Sequence, residues 1–134
     1  MQLQALDTSK SIRFLLAEDN ELNAEIAEAL LQEKGFLTER AEDGQVCCDM
    51  LAKADPGYYD LILMDIQMPV LNGYEAAVQI REMKDPKKAS IPIIAMTANA
   101  FEEDKKAALD AGMNDHVSKP VDIKTLSEVI SKYI

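Results

Sequence analysis

Ile12-Arg13-Phe14-Leu15-Leu16-Ala17 is a short strand-like run that closes on two adjacent carboxylates, Glu18-Asp19, and Leu61-Ile62-Leu63-Met64 is a second that closes on Asp65. Short runs of this kind, bounded by polar residues, fit strands covered on both faces. Two further runs end at Thr97 and at Lys119-Pro120. Working outward, the pattern predicts strands near 12–17, 36–40, 60–64, 91–96 and 115–118, alternating with helices near 21–34, 45–54, 73–84, 101–111 and 122–133. That alternation makes five βα units. Right-handed crossovers wind such units into a doubly wound sandwich and gather the loops after the strands on one edge, where these sheets bind ligands. Glu18, Asp19, Asp65, Thr97 and Lys119 are therefore expected to meet.

The helices carry their own signals. Leu22, Ile26 and Leu30 recur at helical spacing before Gly35, and Leu126, Val129, Ile130 and Tyr133 do so after Asp122, a predicted N-cap. Pro92 fits only at a strand start. No internal repeat or low-complexity segment interrupts the alternation. Residues 1–11 are read as a linker or a remnant of a longer chain, because their polar composition lacks a sustained period, and 12–134 as one domain.

With 48% apolar and 28% charged residues the chain has a globular composition, and a net charge of −10 with no basic cluster argues against direct nucleic-acid binding. The lack of Trp argues against a stacking surface for single strands. Cys47 and Cys48, adjacent in a helical pattern, offer neither a disulfide framework nor zinc-ligand spacing, so they are read as packing residues of a cytoplasmic domain. No apolar stretch reaches the roughly 20 residues of a membrane span, and no membrane contact by this chain is expected.

Three carboxylates, a hydroxyl and an ammonium at one sheet edge make a poor core and a good magnesium site. Like charges gathered this way imply shared protons or a bound cation, and magnesium is the favoured ion. Beside such a cation, a carboxylate can accept a phosphoryl group. The transfer itself needs alignment and charge stabilisation, tasks that suit the Lys119 ammonium and the Thr97 hydroxyl.

Four stretches then acquire a family likeness: Leu-Leu-Ala-Glu-Asp-Asn (15–20), Leu-Met-Asp-Ile-Gln-Met-Pro-Val-Leu-Asn-Gly (63–73), Met-Thr-Ala-Asn-Ala (96–100) and Ala-Gly-Met-Asn-Asp-His-Val-Ser-Lys-Pro (111–120). Over residues 12–133 the sequence resembles the receiver domain of two-component response regulators. The resemblance implies a three-layer flavodoxin-like α/β fold with a five-stranded parallel sheet of order 2-1-3-4-5. It makes Asp65 the phosphoacceptor, places Glu18, Asp19, Asp65 and the backbone carbonyl of Gln67 around magnesium, and assigns Lys119 to the phosphoryl group. Thr97 and His116 become the switch residues, and the Lys119-Pro120 bond is expected to be cis. Two departures stand out: Glu18 occupies a position more often Asp, and His116 one more often aromatic. Gln67 and Asn99 fall where the family faces the attacking water.

The implied function is that of a phosphoacceptor in a phosphorelay, fed by a histidine kinase or a histidine phosphotransfer domain, with output through the helix near 101–111, the last strand and the last helix. Asn23, Ala24 and Ala27 are candidate docking contacts. The wording of the motifs resembles receivers of hybrid histidine kinases more than stand-alone regulators. The parent could then be membrane-anchored, while this chain holds no kinase or ATP-binding domain, catalyses only its own phosphorylation and dephosphorylation, and is a monomer or weak homodimer. An aspartate-based phosphatase and a flavin-binding or purely interaction module of related architecture remain as alternatives.

Overall fold

The computed structural model describes residues 11–98 and 102–134. Its strands are β1 (Arg13–Ala17), β2 (Leu37–Ala41), β3 (Leu61–Asp65), β4 (Ile93–Thr97) and β5 (Asp115–Ser118), and its helices are α1 (Glu21–Glu33), α2 (Gly44–Lys53), α3 (Gly73–Arg81), α4 (Pro86–Ala89), α5 (Glu102–Asp110) and α6 (Ile123–Ile130). The strands form one sheet in the order β2-β1-β3-β4-β5, every neighbouring pair parallel. This is the predicted topology. β3 and β4 are buried along their whole length, as continuous apolar runs in a sheet covered on both faces must be.

Alternate strand residues divide two cores between them. Leu15, Ile62, Met64 and Ile93 pack with Cys47, Leu51, Ala76 and Ile80 under α2 and α3, while Phe14, Leu16, Leu63 and Ile94 pack with Ala27, Leu31, Leu126 and Ile130 under α1 and α6. Cys47 and Cys48 are buried packing residues, as expected, and burial pushes both thiols up, that of Cys48 to about 11.

Three local readings need correction. α1 turns Ala24, Ala27 and Leu31 inward, whereas Leu22 and Ile26, expected on its core face, are 64% and 47% exposed. Small residues let the helix lie close to the sheet, and the larger pair is left facing water. The helix expected to reach residue 84 stops at Arg81, and a single extra turn, α4, follows; Asp85 caps it by accepting from the amides of Lys87 and Lys88, with Pro86 at its first position. The last helix ends at Ile130 rather than near 133. Pro92 does precede its strand, and the linker reading of the first ten residues lies outside the described residues.

At the amino end of β4 and β5, one side chain ties the segments before both strands to the end of α3. The Arg81 guanidinium donates to the carbonyls of Gly112, Ala89 and Ile91 and to Oδ1 of Asn114, each at 2.8 Å. Across the sheet, Glu39 accepts from the hydroxyls of Tyr58 and Tyr59, and Arg13 lies over the Tyr58 ring.

The carboxyl edge is shaped by α3. Asn72 caps this helix in a reciprocal capping box with Glu75, and the amide of Gly73 donates to the carbonyl of Ile66 at 2.8 Å. The helix therefore begins against the backbone that leaves β3. A Cβ on Gly73 would collide with the carbonyl oxygen of Asp65 and come within 2.9 Å of the Ile66 Cα. Gly73→Ala is expected to cost about 1–3 kcal/mol, read as a shift of the urea midpoint without loss of the cooperative transition.

Candidate functional site

β1, β3, β4 and β5 end at Ala17, Asp65, Thr97 and Ser118, so the chain delivers Glu18-Asp19, Asp65, Thr97 and Lys119 to a single edge. A cavity of about 240 Å³ opens there, and all five residues line it together with Gln67. Carboxylate oxygens of Glu18, Asp19 and Asp65 lie within 4.8 Å of one another. Glu18 and Asp65 are buried, at 1% and 4% exposure, while Asp19 faces solvent.

Lys119 holds the buried pair together. Its Nζ stands 2.9 Å from Oε1 of Glu18 and 3.0 Å from Oδ2 of Asp65. Burial works to depress the ammonium, yet its bonds to Glu18 and Asp65 outweigh that effect and hold its pKa above the ordinary lysine value. Backbone amides add to the cage: Asn20 donates to Oε2 of Glu18 at 3.1 Å, and Gln67 donates to Oδ1 of Asp65 at 3.4 Å. The Thr97 hydroxyl is buried with no hydrogen-bond partner among the described residues.

A buried hydroxyl without a partner is costly unless a ligand or water meets it. Here it belongs to the residues lining the cavity beside Asp65 and Lys119, where an anion with several acceptor oxygens would satisfy it. The donor set also fits a hard cation: three carboxylates face one ammonium, and no described group donates to the carboxylate of Asp19. All-oxygen ligands with one open side suit magnesium.

Not every predicted residue reaches the cavity. His116 pairs in register with Ala95, two residues short of the Thr97–Ser118 pair, and does not line the cavity. Its nearest ionic neighbour is Asp115, with Nδ1 3.9 Å from Oδ1. Asn99 lies outside the described residues. The Lys119-Pro120 bond is cis, as expected. Sequence reasoning missed the contributions of Asn20 and Asp104 to the cavity wall; Asp104, in the first turn of α5, carried a helix-start signal and nothing that pointed to the site.

A family model for the response regulator receiver domain matches residues 14–131. The chain belongs to this family. Among curated relatives, the hybrid signal transduction histidine kinase I of Dictyostelium discoideum is 44% identical over 124 residues, covering 91% of this chain. The chain spans 7% of that relative's length. Among solved structures, the receiver domain of a sensor histidine kinase from Pseudomonas aeruginosa, which has a magnesium ion coordinated in its active-site cleft, is 35% identical with a TM-score of 0.82, covering 92% of this chain and 98% of that one. A Saccharomyces cerevisiae co-crystal of the histidine phosphotransfer protein Ypd1 with the receiver domain of its downstream response regulator Ssk1 matches at 35% identity and a TM-score of 0.81, covering 92% and 88% of the two chains. This receiver domain is homologous to those of hybrid histidine kinases, and its fold is theirs. The similarity to hybrid histidine kinases does not favour the alternative of a stand-alone regulator.

Replacing Lys119 by Met leaves the Glu18 and Asp65 carboxylates facing each other without their cation. We expect a loss of about 1–3 kcal/mol at neutral pH, smaller than for a fully enclosed pair because water reaches the ammonium. The Lys119 pKa is raised on folding, so its contribution is complete below about pH 10 and disappears as pH climbs through the folded value. The gap between parent and variant should therefore narrow in alkaline urea melts.

Proposed function

We propose that this receiver domain accepts a phosphoryl group from a phosphohistidine onto the carboxylate of Asp65 and relays it within a hybrid-kinase pathway. One observation carries the reading: a nearly buried aspartate sits at the floor of an open cavity, with an ammonium 3.0 Å away and the unpartnered Thr97 hydroxyl in the same wall. An Asp65 oxygen forms the new O–P bond as the N–P bond of the donor breaks, and the electron pair returns to the imidazole nitrogen. Lys119 pairs with the arriving phosphoryl oxygens, and Thr97 donates its hydroxyl to another. Magnesium, when held by Glu18, Asp19, Asp65 and the Gln67 carbonyl, supplies the charge neutralisation that lets one anion approach another. Attack of water on the acyl phosphate returns the carboxylate and releases inorganic phosphate.

Thr97 moving toward the phosphoryl group biases the loop after β4, with His116 as the second switch position. His116 acts from beside the cavity, a placement suited to following Thr97 rather than to touching phosphate.

The partner we infer is a histidine phosphotransfer domain or the histidine-bearing helices of a kinase. The Ssk1 receiver bound to Ypd1 supports the class of partner, and the surface of α1 supports the place. Ala24 and Ala27, named as contacts from sequence, are buried against the sheet. Asn23 is exposed, and Leu22 and Ile26 project beside it as an apolar pair. A shallow pocket of about 50 Å³ continues this patch from Asn23 and Ile26 to Lys119, Pro120 and Val121. A helix carrying phosphohistidine, laid there, reaches the mouth of the Asp65 cavity.

Asp65→Asn is expected to fold normally and to take up no phosphoryl group from acetyl phosphate with magnesium, measured by intact mass; retained labelling would refute the assignment. Ile26→Asp together with Leu22→Asp should leave acetyl phosphate labelling in place while slowing transfer from a phosphorylated histidine phosphotransfer domain by at least tenfold. Equal loss in both assays would place the defect in the cavity rather than in docking.

A further inference from the structure

Behind the acidic pair, on the side of the sheet that carries α1, lies a cation that the cavity does not contain. Arg40 of β2 stands on the same side of its strand as Thr38, whose hydroxyl meets Glu28 and Gln32 of α1. Its Nε donates to the backbone carbonyl of Glu18 at 3.1 Å, and its Nη2 donates to the backbone carbonyl of Asp19 at the same distance. The Glu18 amide in turn donates to the carbonyl of Ala41 at 3.1 Å. The edge strand thus grips the segment leaving β1 at three backbone atoms.

Fixing a carbonyl fixes the peptide plane, and with it the direction in which the attached side chain leaves the backbone. Glu18 has further ties through Lys119 and the Asn20 amide. Asp19 has none, since no described group donates to its carboxylate, so its aim into the cavity depends on its backbone. We propose that Arg40 is a positioning residue for the divalent-cation site, its forked guanidinium setting the direction of the Asp19 carboxylate.

This inference rests on the reading of the cavity as a magnesium site. The positive charge of Arg40, taken alone, acts the other way: removing a nearby cation would strengthen the pull on magnesium. Orientation and charge therefore predict opposite signs. Lysine, a point charge without a planar fork, cannot span the two carbonyls as arginine does.

Magnesium binding to the unphosphorylated protein, followed by calorimetry and by the amide shifts of residues 18–20, is expected to weaken about tenfold in Arg40→Ala. Arg40→Lys should weaken nearly as much. Thermal melts without magnesium check that both variants remain folded, and either variant alone suffices if the other does not. Unchanged or tighter binding in Arg40→Ala, or full recovery in Arg40→Lys, overturns the proposal. Failure of the parent protein to bind magnesium overturns the metal-site reading itself, so the two failures are distinguishable.

Discussion

Lys119 stands between two carboxylates that the fold has taken out of water, and the remainder of the carboxyl edge is arranged around that ammonium. Isolated buried carboxylates are costly, and a shared cation within hydrogen-bond distance is what makes the pair tolerable. Lys119 reaches both because β5 lies next to β4, with β3 and then β1 beyond it, an order that follows from the crossovers rather than from any local preference. The third carboxylate, on Asp19, remains outside this arrangement and exposed. Among the described residues no ammonium or guanidinium pairs with its carboxylate, which leaves it available to a hard cation in the proposed metal site.

The positions of the site residues were legible because each follows a strand whose signal is strong. β3 and β4 are continuous apolar runs, which few other structures explain, and a polar residue that ends such a run in a parallel sheet has only one edge to occupy. What pairs with what at that edge was not legible. The contacts of Lys119 with Glu18 and Asp65 join residues from the ends of β5, β1 and β3, and no spacing in the sequence encodes them. The same holds for Arg40, a lone cation in an edge strand whose role depends on which strand lies alongside.

The first helix shows how periodicity misleads. Leu22, Ile26 and Leu30 form a regular stripe, and so do Ala24, Ala27 and Leu31, displaced around the helix. Side-chain size favours the first stripe as core, yet the second is the one the structure buries. The sheet chose the alanines, and the misread stripe became the exposed apolar surface beside the cavity. The short α4 turn was missed for a different reason: Asp85-Pro86 is a start signal, but a helix of four residues carries no period.

The Arg81 fork closes four hydrogen bonds to the two segments that lead into the amino ends of β4 and β5. At the opposite ends of these strands, among the described residues, Lys119 donates its amide to the Thr97 carbonyl at 2.8 Å and its ammonium to Glu18 and Asp65, while the Thr97 hydroxyl has no partner. The amino ends are thus held by a side chain that takes no part in the cavity, whereas the tie at the carboxyl ends runs through a residue that lines it. A ligand that competes for the Lys119 ammonium therefore draws on the fastening of the carboxyl ends and leaves that of the amino ends untouched.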